Sequence, residues 1–262
     1  MKKIAIVGCG RLAEIVVDAL IAGLLPEYEL VGVYSRTASK TNYLVAKMKQ
    51  QGKTCVACAS LEELLSLTPH YLVETASPAA MKEIALKTLK NGTSIVTLSI
   101  GAFADTAFYQ EVKEVAKANN TRVYIASGAT GGFDVLRTAT LMGNASARFF
   151  NEKGVNALRR SAVYSPIMET EKRVVFSGTA REAIAVFPTG LNVSVAASLA
   201  SVGPEEMHVT MQSTPGFRGD TQRVEIKNDQ VHAVVDVYSA TPEIAGWSVV
   251  STLINIASPI VF

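Results

Sequence analysis

Short apolar runs and longer amphipathic stretches alternate through the first half of the chain. Lys3 to Val7 is a β-branched run, and the residues after it place apolar side chains at 12, 15, 16, 19 and 20, the spacing of one helix face. The alternation continues with a strand from Glu29 to Tyr34, a helix from about Ser39 to Gln50 and a strand near Cys55. It resumes with a helix opened by Ser60-Leu61-Glu62-Glu63, which has the form of a capping box. Next come a strand from Tyr71 to Glu74 and a helix with Pro78 in its first turn and Gly92 just past its end, the expected asymmetry of caps. A buried strand from Ser94 to Leu98, a helix capped by Asp105 and a strand from Thr121 to Ala126 complete the series. Strands alternating with helices predict an α/β fold, a Rossmann-type doubly wound parallel sheet.

Beyond Ser127 the texture changes. Phe133 to Leu141 reads as helix, Thr179 to Phe187 opens a helix that Pro188 interrupts, and Met207–Gln212, Arg223–Ile226 and Val231–Tyr238 alternate like antiparallel strands. This predicts a second α+β domain with its own sheet. The expected boundaries are 1–128 for the dinucleotide-binding domain, 129–239 for the second domain, and a C-terminal helix within 240–262 that packs back on the first domain or on a partner subunit.

Composition narrows the partners. A formal net charge of +2, with charged residues at 18%, leaves no basic run suited to nucleic acid or an acidic membrane surface, and points to a small-molecule substrate. Ile184–Pro204 and Ile244–Phe262 lack charge over lengths that would admit a membrane span, but their prolines, amides and hydroxyls predict buried helices and no membrane role. The first residues read as a strand rather than a secretion signal, which with three cysteines predicts a cytoplasmic protein. Cys55 and Cys58 form a lone C-x-x-C without a second pair, so no metal site is expected, and their place in an apolar run ahead of a helix cap disfavours a redox motif.

The candidate chemistry lies at strand ends. Gly8-Cys9-Gly10-Arg11-Leu12-Ala13 joins the first strand to the first helix in the pattern of a dinucleotide fingerprint. Gly8 allows the tight turn, Gly10 lets backbone approach a pyrophosphate, and the helix start at Arg11 and Leu12 offers N–H groups to phosphate. The second strand ends in Tyr34-Ser35-Arg36 where an NAD site would carry an acid for the ribose 2′-hydroxyl. Ser35 and Arg36 suit a 2′-phosphate instead, so NADP is expected over NAD; the alternative is that Arg36 only caps a loop. Ala76, Ser77, Pro78 and Ser99 follow strand ends, where open parallel sheets bind ligands. The stretch Ser127-Gly-Ala-Thr-Gly-Gly-Phe-Asp134 has three glycines in five positions, which suits either a hinge or the floor of a ligand site.

Six blocks carry a resemblance: Gly8-Cys-Gly10, Glu74-Thr-Ala-Ser-Pro78, Ser99-Ile-Gly-Ala-Phe-Ala-Asp105, Ser127 to Asp134, Phe176-Ser-Gly-Thr-Ala-Arg-Glu-Ala183 and Phe187-Pro-Thr-Gly-Leu-Asn-Val-Ser-Val-Ala196. In this order they resemble the L-aspartate dehydrogenase family. The resemblance implies a nucleotide-binding domain, a second domain with substrate and homodimer contacts, and hydride transfer between aspartate and NAD(P). It also implies cofactor contacts from Ala129 and Asn192. The family's Asn-x-His pair, whose histidine is the acid/base, falls here on Asp220-Thr221-Gln222, and Gln222 cannot titrate. The family's Thr-x-Lys-Pro and Asn-Pro-Lys-Thr-Ser segments are replaced around Val163–Pro166 and by Ile244-Ala-Gly-Trp-Ser248. The catalytic group is therefore unassigned. The leading expectation is an NADP-binding oxidoreductase diverged in substrate or acid/base, and the alternative is a catalytically silent NADP-binding regulatory or structural protein. His70, His208 and His232 are the remaining histidines, and Arg159, Arg160, Arg173, Arg181, Arg218 and Arg223 are candidate carboxylate binders.

Overall fold

The computed structural model describes residues 1–188 and 190–262, which form two compact units, Met1–Ala126 with Ala245–Phe262, and Ser127–Ile244. The first unit runs β1 (Lys2–Val7), α1 (Arg11–Ile21), β2 (Tyr28–Tyr34), α2 (Ala38–Gln50), β3 (Val56–Cys58), α3 (Leu61–Ser66), β4 (Tyr71–Glu74), α4 (Pro78–Lys90), β5 (Ser94–Thr97), α5 (Thr106–Ala118) and β6 (Val123–Ile125). Its six strands are parallel in the order β3-β2-β1-β4-β5-β6. This is the doubly wound order, with a topological switch between β1 and β4. Ile4, Ile6, Val73 and Val96 are fully buried, as the near-continuous apolar runs of these short strands require when helices cover both faces.

Helix ends follow the caps written in the sequence. Ser60 Oγ accepts from Glu63 N at 3.1 Å, Ser77 Oγ from Ala80 N at 3.2 Å, and Asp105 Oδ1 from Phe108 N at 3.2 Å. Glu63 reaches back to Ala59 N, one residue before the cap, so the expected capping box is displaced by a residue.

The second unit contains α6 (Phe133–Leu141), β7 (Ser146–Gly154), α7 (Val155–Leu158), β8 (Arg173–Thr179), α8 (Ala180–Val186), α9 (Asn192–Leu199), β9 (His208–Thr214), β10 (Asp220–Lys227), β11 (His232–Ser239) and the start of α10 (Glu243–Ala257). Its sheet has the order β11-β10-β7-β9-β8. The pairs β10–β11, β10–β7 and β8–β9 are antiparallel, but β7 and β9 run parallel. Alternation in sequence reports which face a side chain takes and not the direction of its strand. Here α8 and α9 intervene between β8 and β9 and return the chain beside β7. One face of the sheet, bearing Phe149, Val209, Met211, Val224 and Ile226, is buried in the core of this unit.

From Ala245 onward α10 belongs to the first unit, where Val249, Val250 and Leu253 join the same core as Val16 and Val17. A Cβ on Gly246 would stand 2.6 Å from Ile15 Cδ1, so this glycine lets α10 lie close on α1, and Tyr28 Oη donates to the Leu253 carbonyl at 2.7 Å. No described helix is long and apolar enough to cross a membrane.

Gly154, at the end of β7, supports the turn that leads into β10: an added Cβ would fall 2.1 Å from the Phe217 carbonyl oxygen. Backbone cannot yield as a side-chain tip can. Gly154→Ala is expected to destabilise the protein by about 1–3 kcal/mol, the usual range for overpacking, read as a lower urea midpoint at unchanged slope.

Candidate functional site

The switch point is built from strand ends that finish level with one another. Tyr34, Val7, Glu74 and Thr97 are register partners across β2, β1, β4 and β5. A ladder continues past them: Gly8 N donates to Tyr34 O at 3.0 Å, Thr75 N to Val7 O at 3.0 Å, and Leu98 N to Glu74 O at 3.1 Å. The loops that follow therefore leave the sheet side by side. They enclose a cavity of about 320 Å³ lined by Gly8, Cys9, Gly10, Ser35, Arg36, Thr37, Lys40, Thr75, Ala76, Ser77 and Glu83, among others.

Two glycines shape this groove for different reasons. Gly8 has φ +92°, and a Cβ there would lie 2.7 Å from Ala76 N, so its bareness lets the β4–α4 loop pack on the β1–α1 turn. Gly10 caps α1 without any side chain, and a Cβ built on it would meet nothing within 4 Å. The protein itself does not need that space. A phosphate approaching the first-turn N–H groups of α1 does, and the residues present therefore fit a dinucleotide.

Glu74 fixes the opposite wall. It is fully buried, and its carboxylate accepts from Thr97 Oγ1 at 2.6 Å, Ser99 Oγ at 2.9 Å, Ala76 N at 2.7 Å and Ser77 N at 3.1 Å. Burial pushes its pKa up, while the four donors pull it back. Thr75 Oγ1 adds a bond to the Gly8 carbonyl at 2.8 Å. Of the residues expected from sequence, Gly8, Gly10, Ser35, Arg36, Ala76 and Ser77 line the groove. Arg11, Leu12 and Pro78 are the first residues of helices beside it and are not among its walls, and Ser99 is buried with its hydroxyl engaged by Glu74. Lys40, Thr37 and Glu74 were missed. Lys40 stands four residues after Arg36 at the head of α2, and an acid closing an otherwise apolar parallel strand was the legible sign at Glu74.

Ala129 and Asn192 lie in the second unit. A Cβ on Gly128 would be 3.4 Å from Val193 Cγ2, so the loop carrying Ala129 runs beside the start of α9, where Asn192 stands. Gly132, at φ +69°, abuts Val235 of β11, since a Cβ there would come within 2.6 Å of Val235 Cγ2. The glycine-rich stretch thus makes its close approaches to this unit's own helix and sheet.

Gln222 is buried on the core face of β10, directly opposite Asn151 of β7. No histidine shares that face: His208 bonds Ser177 Oγ at 3.1 Å and His232 bonds Glu225 at 3.0 Å, both on the other face of the sheet, while His70 accepts from Lys3 N in the first unit. Most candidate arginines are also spoken for. Arg159 pairs with Glu169 at 3.0 Å, Arg173 with Glu171 at 2.8 Å, Arg181 with Glu205, and Arg223 with Asp236 at 3.4 Å. Arg160 and Arg218 carry no ion pair among the described residues. The three cysteines are free, burial pushes Cys55 and Cys58 up to about 11, and the described residues hold no metal-ligating cluster. Thiols so far from ionised at neutral pH make poor nucleophiles.

Comparison with known proteins covers both units. Residues 8–126 match the family model described as homoserine dehydrogenase, NAD binding domain, and residues 134–256 match that described as aspartate dehydrogenase, C-terminal. L-aspartate dehydrogenase of Methanococcus maripaludis is 33% identical over 213 residues, 80% of this chain and 78% of the relative. That of Methanocella arvoryzae is 27% identical over 99% of this chain and 98% of its own length. The crystal structure of aspartate dehydrogenase from Thermotoga maritima superposes with a TM-score of 0.80 at 26% identity, covering 100% of this chain and 99% of that one. Likeness of this extent, carried by the nucleotide groove's unit and by the second sheet alike, establishes that the chain belongs to the L-aspartate dehydrogenase family of NAD(P)-binding oxidoreductases.

Proposed function

We propose that the chain is an NADP-preferring dehydrogenase working at the C–N (or C–O) centre of a small amino or oxo acid, diverged from its family in substrate or in catalytic acid/base. The observation that carries the cofactor preference is the wall after β2: Ser35, Arg36, Thr37 and Lys40 line the groove there, and its acid, Glu83, comes from α4. Two cations and two hydroxyls beside the N-terminus of α2 suit a 2′-phosphate, which a carboxylate at the strand end would repel. The nicotinamide nucleotide, when bound, takes or gives the hydride. The chain's own part is to seat the pyrophosphate over Gly10 and to hold the 2′-phosphate.

Fluorescence titration tests this reading. NADPH is expected to bind at least about 10-fold more tightly than NADH, since one charge-assisted hydrogen bond contributes about 1.5–3 kcal/mol. Arg36→Ala and Lys40→Ala should each weaken NADPH by about 10–100-fold on the same basis and leave NADH nearly unmoved. Gly10→Ala should weaken both nucleotides without lowering stability, because its Cβ meets only open space. Equal affinities for the two nucleotides in the parent protein would remove the preference.

Divergence rests on Gln222. A buried amide gives and takes no proton at neutral pH, and the unit's two histidines occupy the opposite face. The same observation favours a second reading, a nucleotide-binding regulatory or structural protein without turnover. A screen of amino acids with NADP, and of 2-oxo acids with ammonia and NADPH, separates the two: hydride transfer to any of them ends the silent reading. Under a third reading, ordinary aspartate activity with a water or another side chain in the histidine's place, Gln222→His is expected to raise aspartate oxidation by about 10²–10⁴-fold, the usual contribution of general acid/base catalysis. Full aspartate activity in the parent protein would contradict divergence.

A homodimer through the open face of the second sheet completes the proposal. That face carries exposed Val174, Val234 and Tyr238 among the Arg148–Glu225 and Arg223–Asp236 pairs, apolar surface with both signs of charge. Sedimentation should report a dimer that Val234→Glu converts to monomer, and a monomeric parent protein would discard it.

A further inference from the structure

One residue of the nucleotide groove is out of keeping with an anionic ligand. Glu83 of α4 is the single acid among the residues that line the cavity, and it has no hydrogen bond or ion pair among the described residues. Partners close to it in the chain are engaged elsewhere. Lys82 holds Asp105 at 2.7 Å, and Lys87, which stands four residues on and would be the natural helical partner of Glu83, holds Glu62 at 2.9 Å instead. A carboxylate in a groove for phosphates weakens binding by repulsion unless the ligand brings a hydrogen-bond donor to it.

The rest of that wall says what kind of donor fits. Ala79, Ala80, Glu83 and Ile84 fall at i, i+1, i+4 and i+5, one face of α4, and all four line the cavity. Two methyl side chains and a buried isoleucine make an apolar surface with one acceptor beside it. The other walls already have parts in the dinucleotide reading, Gly10 and the start of α1 for the pyrophosphate, Ser35, Arg36, Thr37 and Lys40 for the 2′ position of the adenosine ribose. The base is bonded to the ribose carbon next to that 2′ position, so it enters the same cavity, and the face of α4 is the surface left for it.

The adenosine half offers two kinds of donor, the 6-amino group of the base and the ribose 3′-hydroxyl. A sugar gains little from alanine and isoleucine, whereas a flat ring gains from apolar cover on its face and needs a polar partner only at its edge. At that edge adenine presents N6–H₂, a donor, and a carboxylate accepts. We propose that Glu83 accepts a hydrogen bond from the adenine 6-amino group and so selects the base of the bound dinucleotide. The inference rests on the dinucleotide reading of the groove and adds a specificity-determining residue to it.

The test compares NADPH with its purine analogue, in which hydrogen replaces the 6-amino group and nothing else changes. Both are titrated against the full chain by nicotinamide fluorescence. The parent protein should bind NADPH about 10-fold more tightly than the analogue, the contribution of one hydrogen bond. In Glu83→Ala the two affinities should agree within about twofold, and Glu83→Gln, which keeps an acceptor oxygen without its charge, should retain part of the ratio. Position 83 is exposed on a helix and alanine is the best helix former, so folding is not at risk. Each variant is judged by a ratio, in which the general gain from removing a negative charge near phosphates cancels. NADH and its own purine analogue should give the same ratio. Equal affinities for NADPH and NADH with the base ratio intact would fell the cofactor preference and uphold the role of Glu83. Equal affinities for the adenine and purine forms in the parent protein, or a ratio that survives Glu83→Ala, would overturn it. A loss in Glu83→Ala shared equally by both forms, the sign of a contact to the ribose hydroxyl, would overturn it as well.

Discussion

The first unit depends on the contact between two loops at one point, where Ala76 lies against the bare Cα of Gly8. Parallel strands deliver both loops to that point because β1 and β4 are neighbours and end in register, Val7 beside Glu74. A side chain at position 8 would have to displace backbone, and φ +92° is a conformation that side chains other than glycine's avoid. Glu74 holds the other partner in place: two of its four hydrogen bonds come from the backbone N–H groups of Ala76 and Ser77. A carboxylate with no exposure is costly to bury unless every lone pair is used, and four donors meet that requirement. The groove is thus rigid at its centre before any ligand enters, and the ordering entropy has been spent in folding rather than in binding.

The second unit solves a different problem with the same material. Its sheet is apolar over most of one face and abruptly polar at one end, where Asp220, Lys153, Asn151, Ser213 and Gln222 replace valine, phenylalanine and isoleucine. Each buried polar group without a partner costs about 1–3 kcal/mol, a large fraction of the 5–15 kcal/mol by which a domain is stable. Stability alone would favour filling those positions with apolar side chains. Three of the four unmet buried atoms of the described residues lie at this end of the sheet.

The sequence made the first unit legible almost residue by residue because each signal was local. A β-branched run, a glycine turn and an amphipathic helix are read within about twenty residues, and caps such as Ser77 and Asp105 fall where their side chains accept. The glycine pattern also located the groove. Lys40 and Glu74 escaped because their roles depend on neighbours brought by other strands: nothing near Glu74 in the chain shows that Thr97 and Ser99 will donate to it. The parallel pairing of β7 with β9 escaped for the same reason, since alternation is blind to direction. Asn151 lies 71 residues from Gln222 in sequence and becomes its neighbour only through sheet register.

Gln222 also bears on why an amide is tolerated where a titratable ring was expected. The position is all but sealed from solvent, next to Asn151 and above a row of apolar side chains. A cationic imidazolium there would need a partner, and the rim's carboxylate, Asp220, is already bound by Lys153 and Asn151. Neutral glutamine avoids that desolvation and keeps the length to place an oxygen beside its cross-strand neighbour. With no histidine on this face of the sheet, the titratable side chains nearest Gln222 are Asp220 and Lys153 of the rim, already paired with each other.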